Sequence, residues 1–103
     1  MHTVIETQTY LSSITGIWTA AEAEAFVAYI AVHPSAGDVM PGTRGLRKVR
    51  WAASGHGKRG GARVIYVHHR ANGQVVLLMA YTKAKFDNLP LDFLKRLREL
   101  YDA

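Results

Sequence analysis

Hydrophobic and polar positions change period twice along the chain. From His2 to Glu6 they alternate weakly among β-branched residues, which predicts a short first strand. Tyr10, Leu11, Ile14, Ile17 and Trp18 then recur at helical spacing, with Gly16 as a stop signal. Thr19-Ala20-Ala21-Glu22 reads as a capping box, in which the hydroxyl and the carboxylate each satisfy a free backbone N–H. Behind it Ala23, Phe26, Val27, Ile30 and Ala31 form one apolar stripe, and His33-Pro34 ends the helix. Two antiparallel helices or one broken helix follow.

Residues Pro34 to Arg44 are turn-rich and predict a connector, after which the period becomes 2. Gly45 to Ala53 reads as a strand with Val49, Trp51 and Ala53 on one face and Lys48 and Arg50 on the other. Ser54 to Gly61 is a glycine-rich loop. Ala62 to His69 and Gln74 to Lys83 read as strands joined by an Ala71-Asn72-Gly73 turn. Their apolar runs, Val64 to Val67 and Val75 to Ala80, fit strands covered on both faces. Leu91, Leu94, Leu97 and Tyr101 stripe a last helix over Pro90 to Tyr101, with start signals at Asn88 and Pro90. The order β, α, α, β, β, β, α predicts a single α+β domain with its helices packed on one sheet.

Charge adds a direction to this outline. The chain of 103 residues carries a formal net charge of +5. Ten of its 13 Lys and Arg residues fall between Arg44 and Phe86, a stretch that holds no Asp or Glu. A surface chosen for solubility mixes the signs, so this separation points to a polyanionic partner. Cysteine is absent, which excludes disulfides, thiol nucleophiles and thiolate metal sites and fits a reducing cytoplasm. No segment reads as a membrane span or a signal peptide. Walker, dinucleotide-binding, Gly-x-Ser-x-Gly and His-Glu-x-x-His motifs are all missing.

Two stretches are more specific. One is Gly37-Asp38-Val39-Met40-Pro41-Gly42-Thr43-Arg44-Gly45-Leu46-Arg47-Lys48-Val49-Arg50-Trp51. The other is Gly55-His56-Gly57-Lys58-Arg59-Gly60-Gly61-Ala62-Arg63-Val64-Ile65-Tyr66. With the later Leu77-Leu78-Met79-Ala80-Tyr81-Thr82-Lys83, they resemble the core of the RelE/HigB-type toxins of bacterial type II toxin–antitoxin systems, within the RelE/ParE superfamily. The resemblance implies a RelE-like fold: a small, mostly antiparallel sheet with two N-terminal helices packed on it and a C-terminal helix. It also implies a cytoplasmic toxin that enters the ribosomal A site and cleaves mRNA by attack of a ribose 2′-OH, with neither metal nor cofactor. The implied partners are the ribosome, mRNA and a cognate helix-turn-helix antitoxin of HigA type, through which alone the toxin reaches promoter DNA.

The candidate site residues each have a plainer alternative. Arg63 stands where the family places a phosphate-contacting arginine; otherwise it is a strand-end surface arginine. Lys58, a candidate base, and Arg59 sit in a loop whose glycines allow close backbone approach to RNA, against a reading as solvated loop charges. Arg47, Lys48 and Arg50 are candidates for RNA binding, against a solvated strand face. Tyr81 and Lys83 share a strand face and could stack on a base and touch its phosphate, although a sheet-end tyrosine also serves packing. Lys85 is a further RNA-contact candidate. His56 reads as a spacer before it reads as a general acid. His68 and His69 are adjacent on a strand, point to opposite faces and so cannot chelate one ion together. His68 and His69 replace the aromatics that are common in the family. Trp18, Phe26 and Trp51 are expected in the core, and Lys95, Arg96 and Arg98 on a wet helix face.

Two rivals keep the basic face and change its use. A ParE-type relative would poison DNA gyrase on the same fold, and a non-enzymatic RNA-binding module would bind without cutting.

Overall fold

The first strand, β1 (Thr3–Glu6), is completed by residues from the far end of the chain. It pairs parallel to β5 (Gln74–Thr82), with Thr3 opposite Gln74 and Glu6 opposite Leu77. This is a computed structural model, and it describes residues 2–51, 61–82 and 89–101. Within these residues the sheet has five strands, ordered β1-β5-β4-β3-β2. Here β2 is Asp38–Val39, β3 is Leu46–Trp51 and β4 is Ala62–His69. All neighbours except β1 and β5 are antiparallel, so the α+β, mostly antiparallel arrangement expected from the pattern is present.

Three helices complete the fold: α1 (Gln8–Ile14), α2 (Ala20–Val32) and α3 (Leu91–Leu100). The N-terminal pair is two helices, because Gly16 takes a φ of 87° that breaks the chain between them. The capping box forms as read: Thr19 N–H donates to Glu22 Oε1 at 2.8 Å, and Glu22 N–H donates to Thr19 Oγ1 at 3.2 Å. His33 caps the C-terminus of α2.

One apolar cluster lies on the sheet face carrying α1 and α2, built from Tyr10, Phe26 and Ile30 against Val64, Tyr66, Val75 and Leu77. The other lies beneath α3, where Leu94 and Leu97 meet Leu46, Ile65, Val67, Val76 and Leu78. The central strands therefore bury both faces, which explains their unbroken apolar runs. The β4–β5 ladder shifts register between Ile65 and Tyr66, so Leu78 and Met79 both contribute to the α3 cluster.

The predicted connector contains β2, a two-residue strand that pairs with Arg47 and Lys48. Two residues are too few to show a period, so pairing with β3 alone defines this strand. The 71–73 turn is a short 3₁₀ segment over Arg70–Asn72, closed by Gly73 at φ 64°. Among the described residues no helix is long and apolar enough to cross a membrane.

Candidate nucleic-acid interface

Sheet register assembles the site. Across the three central strands Arg50 pairs with Arg63, and Arg63 pairs with Tyr81, giving one transverse row. Neighbouring strands stand roughly 4.8 Å apart, so these three side chains are next-door neighbours on one face. One step along lies Lys48, opposite Ile65. The row occupies the β3-to-β5 width at the Trp51 end, while Leu46 and Val67 lie at the other end of the same ladder.

Arg63 is half-buried in this row, and its Nη1 is fully buried with no hydrogen-bond partner among the described residues. Two like charges directly opposite each other across a ladder destabilise a sheet. A buried guanidinium nitrogen without an acceptor adds a desolvation cost on the order of 1–3 kcal/mol. An anion placed between Arg50 and Arg63 would relieve both.

Tyr81 is only 3% exposed and belongs to the α3 cluster. Burial raises its pKa above the ordinary value, and the Arg63 charge opposes that rise. Its phenol thus stays protonated at neutral pH.

Beside the row an open groove of ≈ 540 Å³ is lined by Tyr29, Asp38, Lys48, Arg50 and Arg63 among others. Arg50 is exposed and Lys48 half-buried. Asp38 enters the groove because β2 sets it opposite Lys48, which places a carboxylate at the cationic edge. Tyr29 reaches the groove from α2, its ring centroid 4.8 Å from that of Trp51. Trp51 in turn contacts Phe26, which contacts Trp18, each at 5.5 Å, so an aromatic chain runs from the core to the groove. Sequence reasoning passed over Tyr29, because nothing local distinguishes it from other residues on the flank of the helical stripe.

Arg47 behaves differently. Its Nη1 donates to the Gly37 carbonyl at 2.6 Å. The Tyr66 hydroxyl accepts from Gly37 N–H at 2.9 Å and donates to the Pro34 carbonyl at 2.8 Å. Arg47 therefore points away from Lys48 and Arg50, as its place in the strand alternation requires, and clamps the 34–37 segment. Lys58, Arg59, Lys83, Lys85 and His56 lie outside the described residues, as does the 54–60 loop.

The fold as a whole resembles a solved structure. The chain is similar to a mutant of the E. coli toxin RelE in the free state, one with two arginines replaced by alanine. The TM-score is 0.62 over 94% of this chain and 96% of that one. The fold is RelE-like. Sequence identity is 12%, and no family model matches the sequence. In this RelE-like frame the cationic row is a property of the chain's own register, present without reference to any neighbour.

Proposed function

We propose that the protein is a toxin of a type II toxin–antitoxin system: a ribosome-dependent mRNA endonuclease of the RelE/HigB type. The observation that carries this reading is Arg63, held with a buried Nη1 that has no partner among the described residues, beside Arg50 and Tyr81 on a RelE-like fold. Attack of a ribose 2′-OH on its phosphodiester builds negative charge on the phosphorane oxygens. It needs preorganised cations there, a group to take the 2′-OH proton and a donor for the leaving oxygen.

Arg63 and Arg50 supply the cations, and their mutual repulsion is relieved as the phosphorane charge grows. Lys48 holds the flanking backbone. Tyr81, beside Arg63 in the sheet register, backs the row from within the sheet. The proton acceptor in this reading is Lys58 or Lys83, because a lysine amine crowded by cations can serve as a base. Arg59 and Lys85 extend the RNA contact. No metal and no cofactor enters this mechanism, which the Lys, Arg and Tyr side chains carry themselves. The partners are the ribosome, mRNA and a helix-turn-helix antitoxin of HigA type.

The test is induction of the protein alone in a bacterium, with mRNA 5′ ends mapped and Arg63→Ala as the comparison. Growth arrest with new cuts inside translated frames, lost in Arg63→Ala, is the expected result. Arrest with DNA damage and intact mRNA would replace this reading with gyrase poisoning. Salt-sensitive RNA binding without cleavage would reduce the protein to a binding module.

A further inference from the structure

At the end of the sheet opposite the cationic row, two imidazoles meet. His68 of β4 and His2, just before β1, approach with their Nε2 atoms 3.1 Å apart. They are far apart in sequence, and β5 lies between their strands. Backbone bonds fix the approach: His2 N–H donates to the Ala31 carbonyl of α2, and Thr3 N–H donates to the Gly73 carbonyl, each at 2.9 Å.

The ring geometry shows where the nitrogens aim. The centroids are 4.8 Å apart, with the ring planes at 71°. A collinear N–H···N bond would separate the centroids by the nitrogen distance plus a full ring width, which exceeds what is seen. The two ring axes are therefore not both aligned with the line joining the nitrogens, which leaves room for an ion beside that line. Two imidazole nitrogens bound at ~2.1 Å to one tetrahedral ion lie roughly 3.4 Å apart, a few tenths of an ångström beyond the separation here.

We infer that His2 and His68 form a two-histidine chelate for a late first-row divalent ion, with zinc as the representative. Among the described residues no group of three or more His, Cys, Asp or Glu gathers to hold a metal, so water fills the remaining positions. The ion is exchangeable for that reason. Arg47 and Arg70 lie near enough to act electrostatically on His68. That positive surround weakens binding of any divalent ion, and hard cations such as Mg²⁺, which seek carboxylates, gain nothing from imidazole to offset it. The site is separate from the Arg50–Arg63–Tyr81 row and independent of the proposed nuclease activity.

Calorimetric titration of the tag-free protein with Zn²⁺ near neutral pH tests it. One equivalent is expected to bind, with affinity reduced about tenfold or more in His2→Ala and in His68→Gln. His69→Ala, on the opposite strand face, is expected to bind as the parent does, and Mg²⁺ is expected not to compete. His2 precedes the first strand, so His2→Ala decides the matter even if His68→Gln fails to fold. Absence of zinc binding by the parent chain, or undiminished binding by His2→Ala, overturns the inference and leaves the pair a histidine–histidine hydrogen bond.

Discussion

At the scale of single residues, the fold spends unusual side chains in unusual ways, and three of them can be separated by substitution. Arg63→Ala removes one of two facing cations and a buried nitrogen that has no partner among the described residues. Its stability in urea is expected to match or exceed that of the parent, while any RNA cleavage falls by about 10²–10³-fold, the usual effect of removing a transition-state donor. A merely structural arginine would show the reverse. The buried tyrosines divide in the same manner. The Tyr10 hydroxyl is buried without a hydrogen-bond partner among the described residues, whereas that of Tyr66 joins Gly37 to Pro34. Tyr10→Phe is therefore expected to be neutral or stabilising in thermal denaturation. Tyr66→Phe is expected to lose about 1–3 kcal/mol, because it leaves buried backbone groups unpaired. Sequence alone could not rank these two. Both are aromatics at core positions, and only the tertiary path of residues 34–37 distinguishes them. The same limit applied to Arg47, whose alternation with Lys48 shows which way it points but not that carbonyls await it.

At the scale of elements, what was legible followed from local chemistry. The capping box, the apolar stripes of α2 and α3 and the turn before Gln74 all depend on residues within a few positions of one another. What escaped depends on distant partners. Strand β2 exists because β3 offers it a ladder, and the His2–His68 approach exists because β1 returns to the sheet beside β5. The row of Arg50, Arg63 and Tyr81 was half visible. Strand faces were readable, but which residues stand side by side depends on register, and the β4–β5 ladder carries a shift that no pattern marks. Gly37 is the tightest junction between the connector and the sheet. A Cβ added there would stand 2.8 Å from the Lys48 carbonyl oxygen and 3.0 Å from the Tyr66 ring. Gly37→Ala is expected to destabilise by about 1–3 kcal/mol. It should also displace Asp38 from the groove edge, measurable as a lowered urea midpoint and altered RNA affinity.

At the scale of the whole molecule, charge and titration give the observable consequences. Tyr10, Tyr66 and Tyr81 all have pKa values raised above the ordinary 10.0, with burial as the main cause. The folded chain therefore keeps protons that the unfolded chain releases above that pH. Stability from these groups is complete below about pH 10 and declines as pH rises further. Urea midpoints measured across the alkaline range should fall, and fall less steeply in Tyr10→Phe. If the proposed RNA contact is made, binding should weaken with salt, at a logarithmic slope of roughly 0.7 for each phosphate neutralised. Lys48→Ala and Arg50→Ala should each lower that slope by about one such step in titrations at several salt concentrations.

The parallel pairing of β1 with β5 also sets a schedule for synthesis. Strands β3, β4 and β5 pair with sequence neighbours through antiparallel ladders, while the Thr7 hydroxyl must find the Leu77 carbonyl across 70 positions. Short loops close before long ones. Strand β1 is thus among the last elements to be secured, and α1 and α2 wait until the sheet they cover is built. Pulsed hydrogen exchange during refolding should protect the amides of β3 to β5 first, with those of β1 and α1 following together. A chain that stops before Gln74 would lack both the partner of β1 and the tyrosine of the cationic row, so the sheet and the row are completed by the same strand.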